Sequence, residues 1–150
     1  MKKHITLAFF ISIFIAFYFV YQNHSKQNNN KRELLTELTP LECDLSKTQC
    51  EYDFLGKKVI IDINPKPIYM LEELTVRIKN LNEYKNLNAQ IYGLNMYMGT
   101  ISDEFEKDGD DYITTIRLST CQTKIMRFRI ELFDGDDSIG LFGDFDVIQE

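Results

Sequence analysis

An immunoglobulin-like β-sandwich of seven or eight strands, all-β and preceded by one N-terminal transmembrane helix, is what three features of this 150-residue sequence predict. Apolar and polar residues alternate with period two through nearly all of residues 41–150, as strands half-buried against a core do. Turn sequences rich in Gly and Asp divide those runs at short intervals. No amphipathic helical pattern of any length follows residue 40, whereas residues 5–21 form an unbroken apolar stretch.

That stretch, ITLAFFISIFIAFYFVY, stands directly behind Met1-Lys2-Lys3-His4. As a helix rising ~1.5 Å per residue it covers roughly 25 Å, at the short end for a ~30 Å hydrocarbon core, with Lys2 and Lys3 able to snorkel. Its exit, Tyr21-Gln22-Asn23-His24-Ser25-Lys26, lacks the small residues of a cleavage site, so a retained anchor is expected. Lys2 and Lys3 assign residues 1–4 to the cytoplasm and everything beyond the span to the outside. The expected location is therefore the bacterial inner membrane, single-pass, with a periplasmic C-terminal domain. Residues 22–40 read as a polar tether. Within it, KRELLTEL (31–38) has apolar residues at 34, 35 and 38, enough for a short helix that Pro40 ends.

Charge divides the chain at the same place. Residues 1–40 carry five Lys/Arg and two Glu, whereas residues 41–150 carry twelve Lys/Arg and twenty-one Asp/Glu, a net of +3 against −9. A domain that acidic has no basic surface for phosphate, so nucleic acid is not an expected partner.

About 110 residues remain, enough for one domain. Leu74, Val76 and Ile78 alternate with charged or hydroxyl residues, and Leu87, Ala89 and Ile91 alternate with amides. Tyr112, Thr114, Ile116 and Leu118 share one face of a third run. Met126, Phe128, Ile130 and Leu132 share one face of a fourth, opposite Arg127, Arg129 and Glu131. Gly56-Lys57, Asp108-Gly109-Asp110-Asp111 and Asp134-Gly135-Asp136-Asp137 supply turns. Pro65 and Pro67 mark a strand end or a crossover, because proline cannot donate to a central ladder.

Sulfur carries the distinctive chemistry. Cys43, Cys50 and Cys121 allow three pairings, and in an oxidising compartment one disulfide and one free thiol are expected. Cys43–Cys50 is favoured because closing its six-residue loop costs little entropy, with Cys50–Cys121 the rival. Midway along the domain stands Gly93-Leu94-Asn95-Met96-Tyr97-Met98-Gly99. On a strand, Met96 and Met98 would face the same side with Cα atoms ~6.5–7 Å apart, close enough to converge on one soft ion. Cys121 and Met126 add two sulfurs near a neighbouring strand. The competing interpretation is that these methionines simply fill gaps in the core. Both histidines, His4 and His24, lie outside the domain, so an imidazole-built Cu(II) or Zn(II) site is not expected. The metal that remains is Cu(I), which takes thioether and thiolate donors.

On these residues the chain resembles a family of small membrane-anchored exported bacterial proteins of unassigned function. The matching residues are Cys43 and Cys50, then Asn95-Met96-Tyr97-Met98-Gly99, then Cys121 followed by Met126. The resemblance covers roughly residues 41–148. It implies a β-sandwich like those of small exported domains attached to copper handling and terminal-oxidase maturation. Family members often have proline before the third cysteine, whereas this chain has Leu118-Ser119-Thr120.

Other chemistries find little support. Nucleophilic catalysis lacks a histidine base in the domain, and no tryptophan offers a sugar platform, so enzyme activity is not expected. Counted from Asp134, the sixth and twelfth positions of a calcium loop hold Ile139 and Phe145 rather than Gly and Glu. Two functions are expected from what is left. The first is binding or delivery of Cu(I) during oxidase assembly through Met96, Met98, Cys121 and Met126, with Cys43–Cys50 structural. The second is a non-metal interaction module for a periplasmic or membrane protein partner.

Overall fold

A computed structural model describes residues 34–120 and 123–148. The expectations for the cytoplasmic tip, the span at 5–21, the tether up to residue 33 and Cys121 lie outside those residues. Among the described residues no helix is long and apolar enough to cross a membrane.

Among the described residues nine strands form, rather than seven or eight: β1 Cys50–Phe54, β2 Lys57–Asn64, β3 Glu73–Lys79, β4 Leu87–Gly93, β5 Thr100–Glu104, β6 Glu106–Asp108, β7 Asp111–Arg117, β8 Ile125–Asp134 and β9 Asp137–Ile148. They make two antiparallel sheets, β1-β2-β3-β7-β6 and β5-β4-β8-β9, in a sandwich-like all-β fold. The alternation in the sequence is the cause. Leu74, Val76 and Ile78 of one sheet and Met126, Phe128, Ile130 and Leu132 of the other are all buried in a common core. Both Asp-Gly sequences close two-residue turns, Asp108 pairing with Asp111 and Asp134 with Asp137, and Gly109 and Gly135 take the positive φ those turns need.

The short helix expected at 31–38 is absent from its described part. Residues 34–38 are non-helical, and the Leu35 N–H donates instead to the Leu94 carbonyl at 2.7 Å. A helix of two turns is marginal alone, and a strand-end carbonyl that would otherwise lack a donor outcompetes it.

The next segment closes the open edge of β9. The Cys43–Cys50 disulfide has formed, with its Cα atoms 5.9 Å apart, and it holds the intervening loop against the sandwich. Leu45 enters the core with no exposed surface. Its N–H donates to the Asp144 carbonyl at 3.3 Å, and the Asp146 N–H donates to Asp44 Oδ1 at 3.2 Å. Gly143 is required beneath this plug, because a Cβ there would meet Leu45 Cδ1 at 2.6 Å and the Tyr52 hydroxyl at 2.7 Å. An edge strand that would template pairing with another chain is thereby covered.

Burial alone would raise the Asp44 pKa. Hydrogen bonds from the Ser46 hydroxyl, Lys47 and the Ser46 and Asp146 amides outweigh it and hold the carboxyl below the usual value of 3.8. A lowered folded pKa contributes stability that is complete above the unfolded value and lost as pH falls through the folded one. The plug is therefore expected to loosen below about pH 3.8. In urea titrations at pH 6 and pH 3, wild type should lose more stability between the two than Asp44→Asn.

Candidate functional site

Strand directions divide the sandwich into two ends. The turns at Asp108–Asp111 and Asp134–Asp137 lie at one, which we call the acidic end. The other end gathers the connections β2–β3 (65–72), β4–β5 (94–99) and β7–β8 (118–124). Apart from the initiator, the sequence contains Met70, Met96, Met98 and Met126, and all four stand at this second end, the methionine end.

The string around Met96 is not a strand. β4 stops at Gly93 and β5 starts at Thr100, so Met96 and Met98 occupy the connection between them. The strand spacing expected for them does not apply, because the chain bends at 94–96. The alternation survives as burial: Met96 and Met98 are half-buried against the core, while Tyr97 between them is 79% exposed.

Asn95 fixes the connection. Its Oδ1 accepts the Arg127 N–H at 2.9 Å and its Nδ2 donates to the Ile125 carbonyl at 2.9 Å. Together with the Leu94 N–H on the Arg127 carbonyl at 2.8 Å, this lets a side-chain amide complete the β8 ladder where β4 has ended. Gly93 sets the height of the loop. A Cβ at that position would lie 2.1 Å from the Met126 methyl and 2.3 Å from the Met96 carbonyl oxygen, so both groups rest directly on the glycine. Gly93 thus serves close approach.

Met96 and Met126 are thus brought together at Gly93. They differ in access, since Met126 is fully buried and forms the floor of the loop, while Met96 is half-exposed. The Met96 sulfur accepts the Thr123 hydroxyl at 3.7 Å. From the other sheet, the Leu71 N–H donates to the Leu118 carbonyl at 3.0 Å. This ties the connection bearing Met70 to the start of the same crossing segment. The β7–β8 crossing is consequently fastened at Leu118 and at Thr123 to connections bearing methionine.

Met70 was missed in the sequence because its connection meets the others only through the strand order. Among the described residues no group of three or more His, Cys, Asp or Glu is arranged to hold a metal ion.

Beside the loop, β8 and β9 carry an ion-pair ladder on their outer face. Arg127 grips Asp146 through two bonds of 2.7 Å and donates a third, at 2.7 Å, to the Thr39 carbonyl. Arg129 grips Asp144 at 2.7 and 2.8 Å and lies 4.0 Å over the Phe142 ring. The alternation places both arginines on the solvent side of β8, yet Arg127 is only 4% exposed. The covering segment reaches it from 88 residues away, which no local pattern signals. Hydrogen bonds to the paired carboxylates raise the pKa of each guanidinium further. Tyr52, partly buried beside Asp144, is pushed up to about 12, chiefly by loss of solvent.

No protein-family model, curated protein or solved structure matches the chain.

Proposed function

We propose that the chain is a membrane-anchored periplasmic protein whose methionine end binds Cu(I) and passes it on during metalloenzyme assembly. The observation that carries this reading is the Met96 sulfur on Thr123, two residues from Cys121, in a loop that Asn95 pins to β8. Met96 and Met98 are the primary thioethers, and the Cys121 thiolate completes a soft donor set that suits Cu(I). Met126 supports the loop from below, and Met70 stands in the β2–β3 connection bonded to Leu118. The Cys43–Cys50 disulfide fits an oxidising compartment and uses two of the three cysteines, leaving Cys121 to its own chemistry. The order β2-β3-β7-β6 against β5-β4-β8-β9 supports an immunoglobulin-like topology, being the order A-B-E-D against C′-C-F-G.

Anaerobic titration of Cu(I) against a competing chelator tests the reading. One equivalent is expected to bind. Replacing both Met96 and Met98 by Ala should weaken it by more than about 100-fold, beyond what loss of an outer-shell contact does. Equal affinity in the double variant would remove the copper reading.

A second reading, a non-metal interaction module of a membrane or envelope complex, is favoured by the apolar side chains exposed at the same end. It expects no effect of Cu(I) on thermal stability and a protein partner recovered by crosslinking.

A further inference from the structure

Nine large apolar side chains are exposed among the described residues, and their distribution is uneven. Leu55 stands at the acidic end and Phe142 lies under Arg129 on the sheet face. The rest occupy the methionine end. Tyr69 and Leu71 come from the β2–β3 connection, Tyr97 from the β4–β5 connection, and Ile125 faces Ile148 where β8 and β9 meet. Leu71 is 59% and Ile148 61% exposed. Leu34 and Leu35 complete the set, held there by the hydrogen bond from Leu35 to Leu94.

Charge is distributed in the opposite sense. The three connections of the methionine end contain Lys66, Lys124 and Glu72 as their only charged residues, and 94–99 contains none. The two Asp-Gly turns at the other end contribute six carboxylates. One end is therefore apolar and nearly uncharged, while the other carries dense charge in which carboxylates outnumber the neighbouring Lys57, Lys58 and Lys107. An anionic bilayer would repel the second more than the first.

Chain continuity points the same way. The described chain begins at Leu34, on the methionine end, and residue 21 closes the apolar stretch. Thirteen residues span at most ~45 Å even when fully extended. A domain joined to a membrane span by so short a tether meets the bilayer at high effective concentration.

We propose that the methionine end rests on the lipid surface, with Tyr97, Leu71 and Ile148 seated at the headgroup boundary and the acidic turns facing away. Tyrosine has the amphipathic ring suited to that depth, and Leu and Ile add apolar area below it. The inference rests on the span reading of residues 5–21. It would turn the sulfur-bearing loops toward the membrane plane, where an integral membrane acceptor presents its own site.

The sequence has no tryptophan, so a single indole reports its surroundings without background. Full-length Tyr97→Trp and Leu55→Trp variants are each reconstituted into nanodiscs with a tryptophan-free scaffold, of phosphatidylcholine and phosphatidylglycerol, with and without bromine on the acyl chains. Both replaced side chains are at least 70% exposed, so the fold should be kept. Bromolipid is expected to quench the Tyr97→Trp variant at least twofold more than the Leu55→Trp variant, with emission shifted to the blue. Equal quenching in reconstituted chains overturns the docking and leaves the span intact. An indole shielded from aqueous acrylamide but untouched by bromine assigns the end to a protein partner or a second copy, and overturns the lipid assignment. A chain that remains soluble when detergent is removed overturns the span and the docking with it.

Discussion

Arg127→Ala is expected to lower folding stability by about 3–5 kcal/mol, the cost of removing one partner from a buried ion pair. The side chain of Arg127 is 5% exposed and that of Asp146 23%, so the abandoned carboxylate remains largely out of water. The Thr39 carbonyl loses its donor in the same step. For a domain of this size the melting temperature should fall by about 10–20 °C. Arg127→Lys keeps the charge but not the planar fork, and should fall between wild type and Ala. Arg127→Met combined with Asp146→Leu removes both charges and should recover much of the loss. If Arg127→Ala unfolds at the wild-type midpoint, the ladder is a solvated surface pair and the cover formed by residues 34–47 contributes little.

Gly93→Ala is expected to cost about 1–3 kcal/mol through overpacking, and to displace the methionine loop. The Met126 methyl, 2.1 Å from the new Cβ, is the end of a flexible side chain, but that side chain is fully buried and moves only by displacing its neighbours. The Met96 carbonyl, at 2.3 Å, is backbone and can retreat only by moving the loop that Asn95 holds. The variant should therefore bind Cu(I) more weakly while keeping every donor atom, which distinguishes loop geometry from ligand identity. Met126→Ala would open the same space from below. Combined with Gly93→Ala it should restore part of the stability, because the two changes act on one contact.

Much of the fold could be read in the sequence because its determinants are local. Met126, Phe128, Ile130 and Leu132 appear at every second position and are buried together. The Asp-Gly sequences closed turns where alternation broke, and the short Cys43–Cys50 loop closed as its length suggested. What could not be read depends on distant partners. Arg127 looks solvent-facing until Thr39 and the loop carrying Asp44 are folded over it. The stretch at 34–38 looks helical until Leu94 offers a carbonyl.

The same division holds for the candidate site. Met96 and Met98 stood out by spacing, but the role of Asn95 as a substitute strand residue required knowing that β8 runs beside it. Arg127 and Arg129 could have been matched with Asp146 and Asp144, since both pairs are spaced by two. Only the β8–β9 register shows that they face each other. Met70 lies 26 positions before Met96, and topology alone assigns both to one end.

X-ray absorption at the copper edge, on the full chain loaded anaerobically with one equivalent of Cu(I), tests the sulfur site most directly. A first shell of sulfur scatterers alone is expected, reduced in sulfur count by replacing Met96 and Met98 with Ala. A shell dominated by nitrogen or oxygen, or one unchanged in that double variant, would contradict the thioether centre.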